Sequence, residues 1–425
     1  MDEHILDILK QLRDDSQGAL DTHRLEMLIN SHNSGIDSSA HSTEREKLIP
    51  KRAILPYFLQ IKQNNDELWQ SWNVTPELEE KFIRSVRMKP RRTASGVATI
   101  TVITRPHTCS SNCIYCPCDL RMPKSYLANE PACQRAELTF FDPYVQVAAR
   151  LQALHQMGHS TDKVELIVLG GTWSDYPESY QYWFIKELFR ALNEWPSSPN
   201  HIQERLDWYT SFGLQNSEEA LSSFVAEQQA AVFDDNTTYN QAFHKLYDTS
   251  QPHQNAWSQM QGTYDELVEQ QHVNETAAAR VVGLVIETRP DTITPDNLHM
   301  FRQLGCTKIQ IGIQSTRQKI LDANKRQMSL AQIKRAFSLI RLYGFKIHSH
   351  LMVNLLGATP EADKQDFKTF VTDPGFLPDE IKLYPCALVS GTQLVQKYRE
   401  GAWQPYIKDE LVDVLVQDVL ATPPY

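Results

Sequence analysis

The sequence has 425 residues, a mass of 48.8 kDa and 41% hydrophobic residues, which is enough apolar material for a large buried core. This size and composition exclude an intrinsically disordered chain and a small disulfide-stabilised fold. The mean hydropathy of −0.44 and the lack of any apolar run near the ~20 residues of a membrane helix exclude a spanning segment. The net charge of −10 argues against a nucleic-acid partner unless basic residues are concentrated locally.

The N-terminal region, residues 1–88, is predicted to be helical. Residues 3–30 have the pattern of two short helices, and the Ser- and His-rich stretch near 31–43 is predicted to be a linker. A further helical pattern follows from 47 to 88. The acidic, amphipathic start of the chain lacks the basic and apolar parts of a secretory signal, so we expect a cytoplasmic protein.

Basic residues are concentrated directly after this helical region. From Lys81 to Arg105 there are seven Lys and Arg residues and no Asp or Glu. Such a run is typical of a surface that binds phosphates, and it is also typical of a solvated basic face with no ligand. The sequence leaves both interpretations open.

Six short β-branched and apolar runs are predicted to be strands, mostly separated by helical patterns. They cover residues 97–104, 164–171, 281–288, 308–315, 346–354 and 380–385. The helix that begins after Ser329 is the clearest, because Ser329 and Gln332 fit a capping box and Gly344 supplies its C-terminal stop. Strands that alternate with helices predict an α/β fold with a mostly parallel sheet or partial (β/α) barrel.

The predicted barrel extends over residues 89–385 and is followed by a C-terminal extension, 386–425. Residues 196–280 break the alternation and are predicted to be an irregular insertion. Within it, the stretches 195–200 and 250–262 are rich in Pro, Ser, Gln and Asn and are predicted to be loops.

Four of the seven cysteines fall in one short stretch, which in a reducing compartment favours metal binding or redox chemistry over disulfides. Cys109, Cys113 and Cys116 follow the first strand with x3 and x2 spacing, and three thiolates on a tight loop can hold three irons of a 4Fe-4S cube. The fourth iron then stays open to a small ligand. The alternative is a zinc site completed by Cys118 or His107. The other three cysteines are predicted to be buried small apolar residues: Cys133, Cys306 and Cys386.

Residues that are unusual for plain packing follow four of the downstream strands. They are Gly170-Gly171-Thr172, Glu287 to Asp291, the alternating Gln310, Gly312 and Gln314, and the alternating His348, His350 and Met352. Because the C-terminal ends of barrel strands meet at one face, we expect these residues to share a site with the cysteines. Taken singly, each is more simply a turn or a core residue.

The cysteine loop, with the aromatic Tyr115 before its third cysteine, resembles the loop of the radical S-adenosylmethionine (SAM) enzymes. The resemblance implies a 4Fe-4S cluster on Cys109, Cys113 and Cys116, with SAM chelated to the open iron. It also implies cleavage of SAM to a 5′-deoxyadenosyl radical, chemistry that side chains alone cannot supply.

Eight segments in fixed order resemble the catalytic subunit of Elongator and its stand-alone bacterial and archaeal homologues. They are KPRRTASGVATITVITRPHTC, RMPKSYLANEP, RAELTFFDPYVQVAARLQAL, GHSTDKVELIVLGGTW, VVGLVIETRPD, LGCTKIQIGIQS, HLMVNLLGATPEAD and DEIKLYPCALVSGTQLVQKYREGAW. The resemblance runs from about Lys89 to the C-terminus without much of 196–270. It implies modification of the tRNA wobble uridine, in which an acetyl group from acetyl-coenzyme A, activated by the adenosyl radical, starts a carboxymethyl side chain at C5.

The same resemblance assigns roles to individual residues. The residues that it places against SAM are Tyr115, Gly170, Gly171, Thr172, Glu287, Gln310 and Gln314. Those that it places against tRNA phosphates are Lys89, Arg91, Arg92 and Lys124.

The sequence departs from the family pattern in several places. Cys118-Asp119 replaces the usual glycines, Gln310 stands where a glutamate is expected, and Lys325-Arg326-Gln327 replaces Arg-Gly-His. The family's acetyltransferase domain is not found in this sequence, so we expect the chain to carry the radical half of the reaction, with a separate acetyltransferase-domain partner as one arrangement. Two other functions remain open: a non-catalytic tRNA-binding metal scaffold, and a radical SAM enzyme acting on another substrate such as a porphyrin or a peptide.

Overall fold

The computed structural model of the chain describes residues 1–14, 19–33 and 49–424. The chain divides into two compact units, Met1–Ala98 with Ala149–Lys163, and Thr99–Ala148 with Val164–Tyr425. The first unit therefore extends past the predicted boundary at residue 88 and includes the basic run except for Arg105, which belongs to the second unit. It also takes in a stretch from later in the chain, which no local pattern could have assigned to it.

The first unit is helical, as predicted. Its helices are α1 (Asp2–Asp14), α2 (Thr22–Asn33), α3 (Lys51–Asn64), α4 (Asp66–Ser71) and α5 (Pro76–Val86). Their core is aromatic, with Phe58 stacked on Phe82 at a centroid distance of 4.1 Å and Trp72 fully buried beside them. Of the predicted linker 31–43, the first three residues end α2 and the remainder lie outside the described residues.

The second unit contains the strands and the remaining helices. The strands are β1 (Ala98–Ile103), β2 (Lys163–Leu169), β3 (Arg280–Thr288), β4 (Lys308–Gln314), β5 (Lys346–Val353) and β6 (Glu380–Pro385). The helices are α6 (Pro131–Leu138), α7 (Pro143–Gln156), which spans the unit boundary, α8 (Glu178–Asn193), α9 (Ile202–Ser211), α10 (Glu218–Phe233), α11 (Tyr239–Phe243), α12 (Gln251–Ser258), α13 (Tyr264–Asn274), α14 (Pro295–Gln303), α15 (Gln318–Ala323), α16 (Leu330–Leu342), α17 (Pro360–Thr372), α18 (Leu394–Arg399) and α19 (Lys408–Ala421). None of the helices in the part of the chain that the structure describes is long and apolar enough to cross a membrane.

All six predicted strands are present and form one sheet in the order β1-β2-β3-β4-β5-β6. Sequential parallel strands joined by helices make an open (β/α) barrel, so the predicted fold class is confirmed. The capping box of Ser329 and Gln332 and the C-terminal stop at Gly344, with φ of +74°, are also as predicted. β2 pairs directly with β3, so the long segment of chain between these two strands adds no strand to the sheet.

The interpretation of 196–280 as irregular is wrong, because this segment folds into five helices within the described chain, α9 to α13. The predicted loop 250–262 contains α12, whose Pro252 lies in the first turn, where proline is compatible with a helix. These helices escaped detection because their buried faces are narrow: Ala256 is the only residue that α12 buries. The stretch 195–200 is a turn that leads into a short 3-10 segment, as a loop should be.

Three carboxylates meet where α19 packs on α17. Asp363 and Asp366 lie on α17 and are buried, and the facing Asp418 of α19 is 1% exposed, with Oδ2 lacking a hydrogen-bond partner among the described residues. Burial, together with repulsion from Asp363 and Asp366, raises the pKa of Asp418 to about 7.

The substitution Asp418→Asn should raise the free energy of unfolding above pH 7 and flatten its pH dependence. Since the pKa of Asp418 is about 7 in the folded chain and about 3.9 when unfolded, the folded chain holds this proton more tightly, and the resulting stability is lost as the pH rises from about 4 through 7. Denaturant unfolding at pH 5, 7 and 8.5 measures the effect. Asp409→Asn, at an exposed position of the same helix, is the control; equal pH profiles for wild type and Asp418→Asn would contradict the prediction.

Candidate functional site

A cavity of about 270 Å³ opens at the C-terminal ends of the strands. Cys109, Cys113 and Cys116 all line it, and each is less than 10% exposed. Their loop follows β1 directly, which places the three thiols beside the ends of β3 to β6. The structure therefore brings the three predicted ligands together at the predicted edge of the sheet.

Each of the three thiols has a hydroxyl neighbour. Thr172 Oγ1 lies 3.6 Å from Cys109 Sγ, Ser111 Oγ lies 3.1 Å from Cys113 Sγ, and Ser125 Oγ lies 2.8 Å from Cys116 Sγ. Hydroxyl donors stabilise negative charge on sulfur, whether it is carried by a free thiolate or by a metal-bound one. The loop is thus built around charged sulfur.

Arg326 brings a cation into hydrogen-bond contact with one of the three cavity thiols. Its Nη1 lies 3.3 Å from Cys113 Sγ, and its Nη2 donates to the carbonyl oxygen of Gly312. Burial alone would raise the pKa of Cys113, but Arg326 and the Ser111 hydroxyl lower it to about 7. Cys116 differs, because burial raises its pKa to about 12 despite the nearby Lys124. Arg326 stands where the family pattern has glycine, so it is recognisable from the sequence as a departure, but its contact with Cys113 is not.

Five of the seven predicted SAM contacts line the cavity. They are Tyr115, Gly171, Thr172, Glu287 and Gln314. Gly170 and Gln310 are not in its wall. Gly170 comes one residue before the cavity-lining Gly171, and Gln310 lies two residues earlier on β4 than the cavity-lining Gly312.

Gly170 supports the site from behind. Its amide donates to the carboxylate of Glu287, which also accepts a hydrogen bond from the Tyr126 hydroxyl. Burial raises the pKa of Glu287, and these two donors oppose the rise. A Cβ atom on Gly170 would lie 1.7 Å from Thr104 Oγ1, so only glycine fits between β1 and Glu287.

Gly170→Ala should destabilise the chain by about 2–3 kcal/mol, because the added methyl overlaps Thr104 and must displace the end of β1. Gly401→Ala is a suitable comparison, since a Cβ there meets nothing within 4 Å and carries only the cost of its positive φ, about 1 kcal/mol. Thermal unfolding of both variants measures the difference. Equal losses would show that the space behind Glu287 can relax.

A bulge places Gln314 in the cavity. The register of β4 against β5 shifts between Gly312 and Gln314, and Gln314 adopts a φ of +72°. The side-chain amide of Gln314 folds back over Gly312, and a Cβ atom added to Gly312 would lie 2.6 Å from Gln314 Nε2. The Tyr384 hydroxyl donates to Gln314 Oε1 at 3.4 Å. The predicted simple alternation along β4 therefore ends at Gly312, although Gln314 still reaches the site. Gln310 instead lies in register with Glu287.

Four buried polar atoms of the cavity wall have no hydrogen-bond partner within the described chain: Tyr115 Oη, Arg289 Nη1, Arg326 Nε and His350 Nε2. Such atoms are costly unless a ligand or water pairs with them. Burial lowers the pKa of His350 to about 3, so its imidazole is neutral at physiological pH. His350 and Met352 line the cavity as predicted, whereas His348 faces Glu380 at 3.5 Å. A cavity that combines three cysteines with unpaired polar atoms fits a cluster with a polar cofactor.

The zinc alternative gains no support. Neither Cys118 nor His107 lines the cavity. Lys124 donates to Cys118 Sγ at 2.7 Å, and the ring of His107 packs at a tilt against that of Tyr176. Over the described ranges, no group of three or more His, Cys, Asp or Glu residues is placed to hold a single metal ion. A cube does not need such a group, because each thiolate binds a different iron.

The predicted tRNA contacts fall in different places. Lys89, Arg91 and Arg92 are exposed at a 3-10 turn of the first unit, which suits a phosphate contact. Lys124 belongs to the second unit and is 5% exposed, with its ammonium on Cys118 and over the ring of Tyr239 at 4.8 Å. The expectation that Lys124 contacts phosphate does not fit this burial, because the charge faces the cysteine loop.

Comparison with known proteins agrees with this site. Residues 258–369 match the Radical SAM superfamily, and residues 378–425 match the Radical SAM C-terminal domain. The chain belongs to the radical SAM superfamily. Membership implies a 4Fe-4S cluster and SAM. The three cysteines and the unpaired polar atoms of the cavity fit these two groups.

Some curated relatives of this radical SAM chain are named as tRNA uridine(34) acetyltransferases, and others are named for the Elongator complex. A tRNA uridine(34) acetyltransferase of Methanocaldococcus infernus is 33% identical over 80% of this chain and 52% of its own length, and one of Dehalococcoides mccartyi is 32% identical over 79% and 59%. Human Elongator complex protein 3 is 28% identical over 83% and 54%. The chain thus spans about half the length of the curated relatives that it matches.

A solved structure supports the radical SAM fold independently. The Methanocaldococcus infernus Elp3 with an N-terminal deletion matches with a TM-score of 0.52 and 28% identity, covering 77% of this chain and 55% of that one. The sequence resemblance to the Elongator catalytic subunit is therefore confirmed.

Proposed function

We propose that this protein is a radical SAM enzyme that modifies uridine 34, the wobble uridine, of tRNA. The observation that carries the proposal is the convergence of three buried cysteines with Thr172, Glu287 and other cavity residues at the C-terminal edge of the sheet. The names of the curated relatives supply the substrate class. The structure itself contributes the site and not the substrate.

In this proposal Cys109, Cys113 and Cys116 each hold one iron of a 4Fe-4S cluster. When bound there, the cluster and SAM supply a 5′-deoxyadenosyl radical. Burial of the cysteines keeps water from the reacting centre, and Arg326 places positive charge beside Cys113. The unpaired Arg289 and His350 nitrogens are positioned to bind polar groups of the cofactor or the substrate.

We further propose that the product is a carboxymethyl-type side chain at C5 of the uracil, with acetyl-coenzyme A as the carbon source. The name acetyltransferase in the relatives supports this step. The chain spans about half the length of those proteins. We therefore propose that acetyl-coenzyme A is a substrate of the complete reaction, of which this chain supplies the radical half. A partner with an acetyltransferase domain would complete it.

The exposed basic turn is the proposed tRNA contact. Replacing Lys89, Arg91 and Arg92 together with alanine should weaken tRNA binding and reduce the slope of log K against log salt by about 2–3, since each lost phosphate contact removes about 0.7–0.9 from it. Filter binding over a range of salt concentrations measures both quantities. Arg335→Met, at an exposed position of α16, is the control, and an unchanged slope in the triple variant would make the turn a solvated basic face.

The test of the whole proposal is anaerobic reconstitution with iron and sulfide, followed by assay of 5′-deoxyadenosine with and without tRNA. We expect about four irons per chain and cleavage stimulated by tRNA. Bound zinc without cleavage would support a scaffold instead. If tRNA does not stimulate cleavage of SAM, the protein is a radical enzyme for another substrate. Nucleoside analysis would then find no modified uridine at position 34.

A further inference from the structure

The cysteine loop has almost no regular structure of its own. From Cys109 to Met122 the backbone contains turns and extended residues but no helix or strand. A loop of this kind cannot hold three thiols in place through its own backbone hydrogen bonds, so its groups must find partners elsewhere. The middle of the loop bonds through Ile114 to Asn324 and Leu394. Partners for its two ends come from the helical segment 218–248, comprising α10, α11 and a π-helical turn over His244–Asp248, which we call the helical clamp.

One residue of the helical clamp binds the first cysteine through its main chain. Asn240 accepts the backbone N–H of Cys109 at Oδ1 over 3.1 Å and donates from Nδ2 to the carbonyl oxygen of Cys109 over 2.9 Å. The amide side chain thus pairs with both backbone groups of a single residue, as a neighbouring β-strand would. This pairing fixes the position and direction of the Cys109 backbone, and therefore where its Sγ can point.

A second amide repeats the arrangement farther along the loop. Gln229 of α10 accepts the backbone N–H of Leu120 and donates to the carbonyl oxygen of Cys118, both over 2.8 Å. Two tyrosines add to it, because the Tyr239 hydroxyl donates to the carbonyl oxygen of Met122 and the Tyr247 hydroxyl to that of Leu120, each over 2.7 Å. Both sides of the loop are therefore bonded to the helical clamp.

An apolar contact joins the same two segments. Leu120 of the loop is fully buried in a cluster made otherwise of residues from the helical clamp, among them Val225, Tyr239, Phe243 and Tyr247. Burial of a leucine side chain is worth roughly 1.5–3 kcal/mol, so the clamp holds the loop by packing as well as by hydrogen bonds. The clamp lies within the part of the chain where the sequence shows little resemblance to the Elongator catalytic subunit.

We infer that the helical clamp positions the cysteine loop, with Asn240 as the positioning residue for Cys109 and Gln229 for the backbone of Cys118 and Leu120. Only the expected effect on the cluster rests on the proposed function, in which the three cysteines are cluster ligands. The preorganisation of the loop itself is a property of the metal-free chain. Rigid support of this kind keeps a loop-borne site from being too loose for its ligand.

The first test uses the metal-free full chain and alkylation of individual cysteines by iodoacetamide, read by mass spectrometry. Asn240→Ala should speed alkylation of Cys109 about tenfold, while Cys133 and Cys306, buried elsewhere, keep their wild-type rates. Asn255→Ala, at an exposed asparagine of α12, should leave all three rates unchanged. If all cysteines react faster together in Asn240→Ala, the residue stabilises the fold as a whole and the inference is wrong.

The variants Asn240→Asp and Asn240→Ala separate the two hydrogen bonds that Asn240 makes to the Cys109 backbone. Asn240→Asp keeps an acceptor for the Cys109 N–H but loses the donor, so hydrogen exchange at the Cys109 amide should remain near the wild-type rate, whereas Asn240→Ala should exchange about tenfold faster. Gln229→Ala provides an independent variant, with faster exchange expected at Leu120 and not at Cys109. Equal exchange in Asn240→Asp and Asn240→Ala would overturn the positioning role.

The reconstituted chain gives the last readout. Asn240→Ala should shift the electron paramagnetic resonance spectrum of the reduced cluster and lower its retention during gel filtration, and Asn240→Asp should partly restore both. An unchanged spectrum with unchanged retention would remove Asn240 from the site. If no variant, wild type included, binds iron, the proposed function fails, and the alkylation and exchange results still decide the clamp.

Discussion

Replacing Cys113 with alanine should abolish formation of 5′-deoxyadenosine while leaving the affinity for tRNA nearly unchanged. Cys113 Sγ has two polar side-chain contacts, Ser111 at 3.1 Å and Arg326 at 3.3 Å. Loss of this thiol removes one ligand and leaves a buried guanidinium without its sulfur partner. The proposed phosphate contacts lie on an exposed turn of the other unit, and the substitution does not alter them. Iron content, 5′-deoxyadenosine yield and tRNA binding are measured on the same preparation.

Cys306→Ala is the matched comparison. Cys306 is as buried as Cys113 but does not line the cavity, so its variant should retain iron and cleavage activity. Equal loss of tRNA binding and cleavage in Cys113→Ala would mean that the metal chiefly supports the fold. Retained cleavage in Cys113→Ala would remove this residue from the ligand set.

Replacing Arg326 with methionine should reduce cleavage of SAM by about 10–100-fold, the loss typical of removing a partner of a metal ligand. The variant takes a positive charge and a hydrogen-bond donor away from Cys113 Sγ, which should make the reduction potential of the cluster more negative. It also leaves the buried carbonyl of Gly312 without a donor, so some loss of stability accompanies the change. Redox titration, cleavage assays and thermal unfolding measure the three effects.

Two further variants identify the cause. Arg326→Lys keeps the charge without the two-pronged guanidinium, and it should restore part of the potential but not the bond to Gly312. Arg335→Met removes an exposed arginine from α16 and should change none of the three quantities. If Arg326→Met loses stability but keeps the wild-type potential and cleavage, Arg326 serves packing alone.

Much of the fold could be predicted because its signals are local. The six strands were found from their β-branched runs, and α16 from its capping box, since strand and helix patterns depend on residues only a few positions apart. The three cluster cysteines were found in the same way, because they lie on one short loop. The helices of 196–280 were missed because their narrow buried faces give a weak period.

Outside the cysteine loop, site residues could be predicted only where they stand at the end of a strand. Glu287 and Gln314 were found because the barrel brings strand ends together. The family resemblance places Lys124 against tRNA, and nothing local indicates that its ammonium is buried against Cys118. Burial is a property of the folded chain, and a charge has no local mark that distinguishes an exposed position from a buried one.

The sequence by itself therefore determined the order of strands, the parallel open barrel and the cysteine loop, because each depends on short-range pattern or on chain order. Only the tertiary structure decided that Arg326 reaches Cys113 from more than two hundred residues away, and that Asn240 and Gln229 bond to the backbone of the cysteine loop. These contacts join segments with no common period or motif. They follow from how the packed helices and strands place side chains in space, which no local pattern contains.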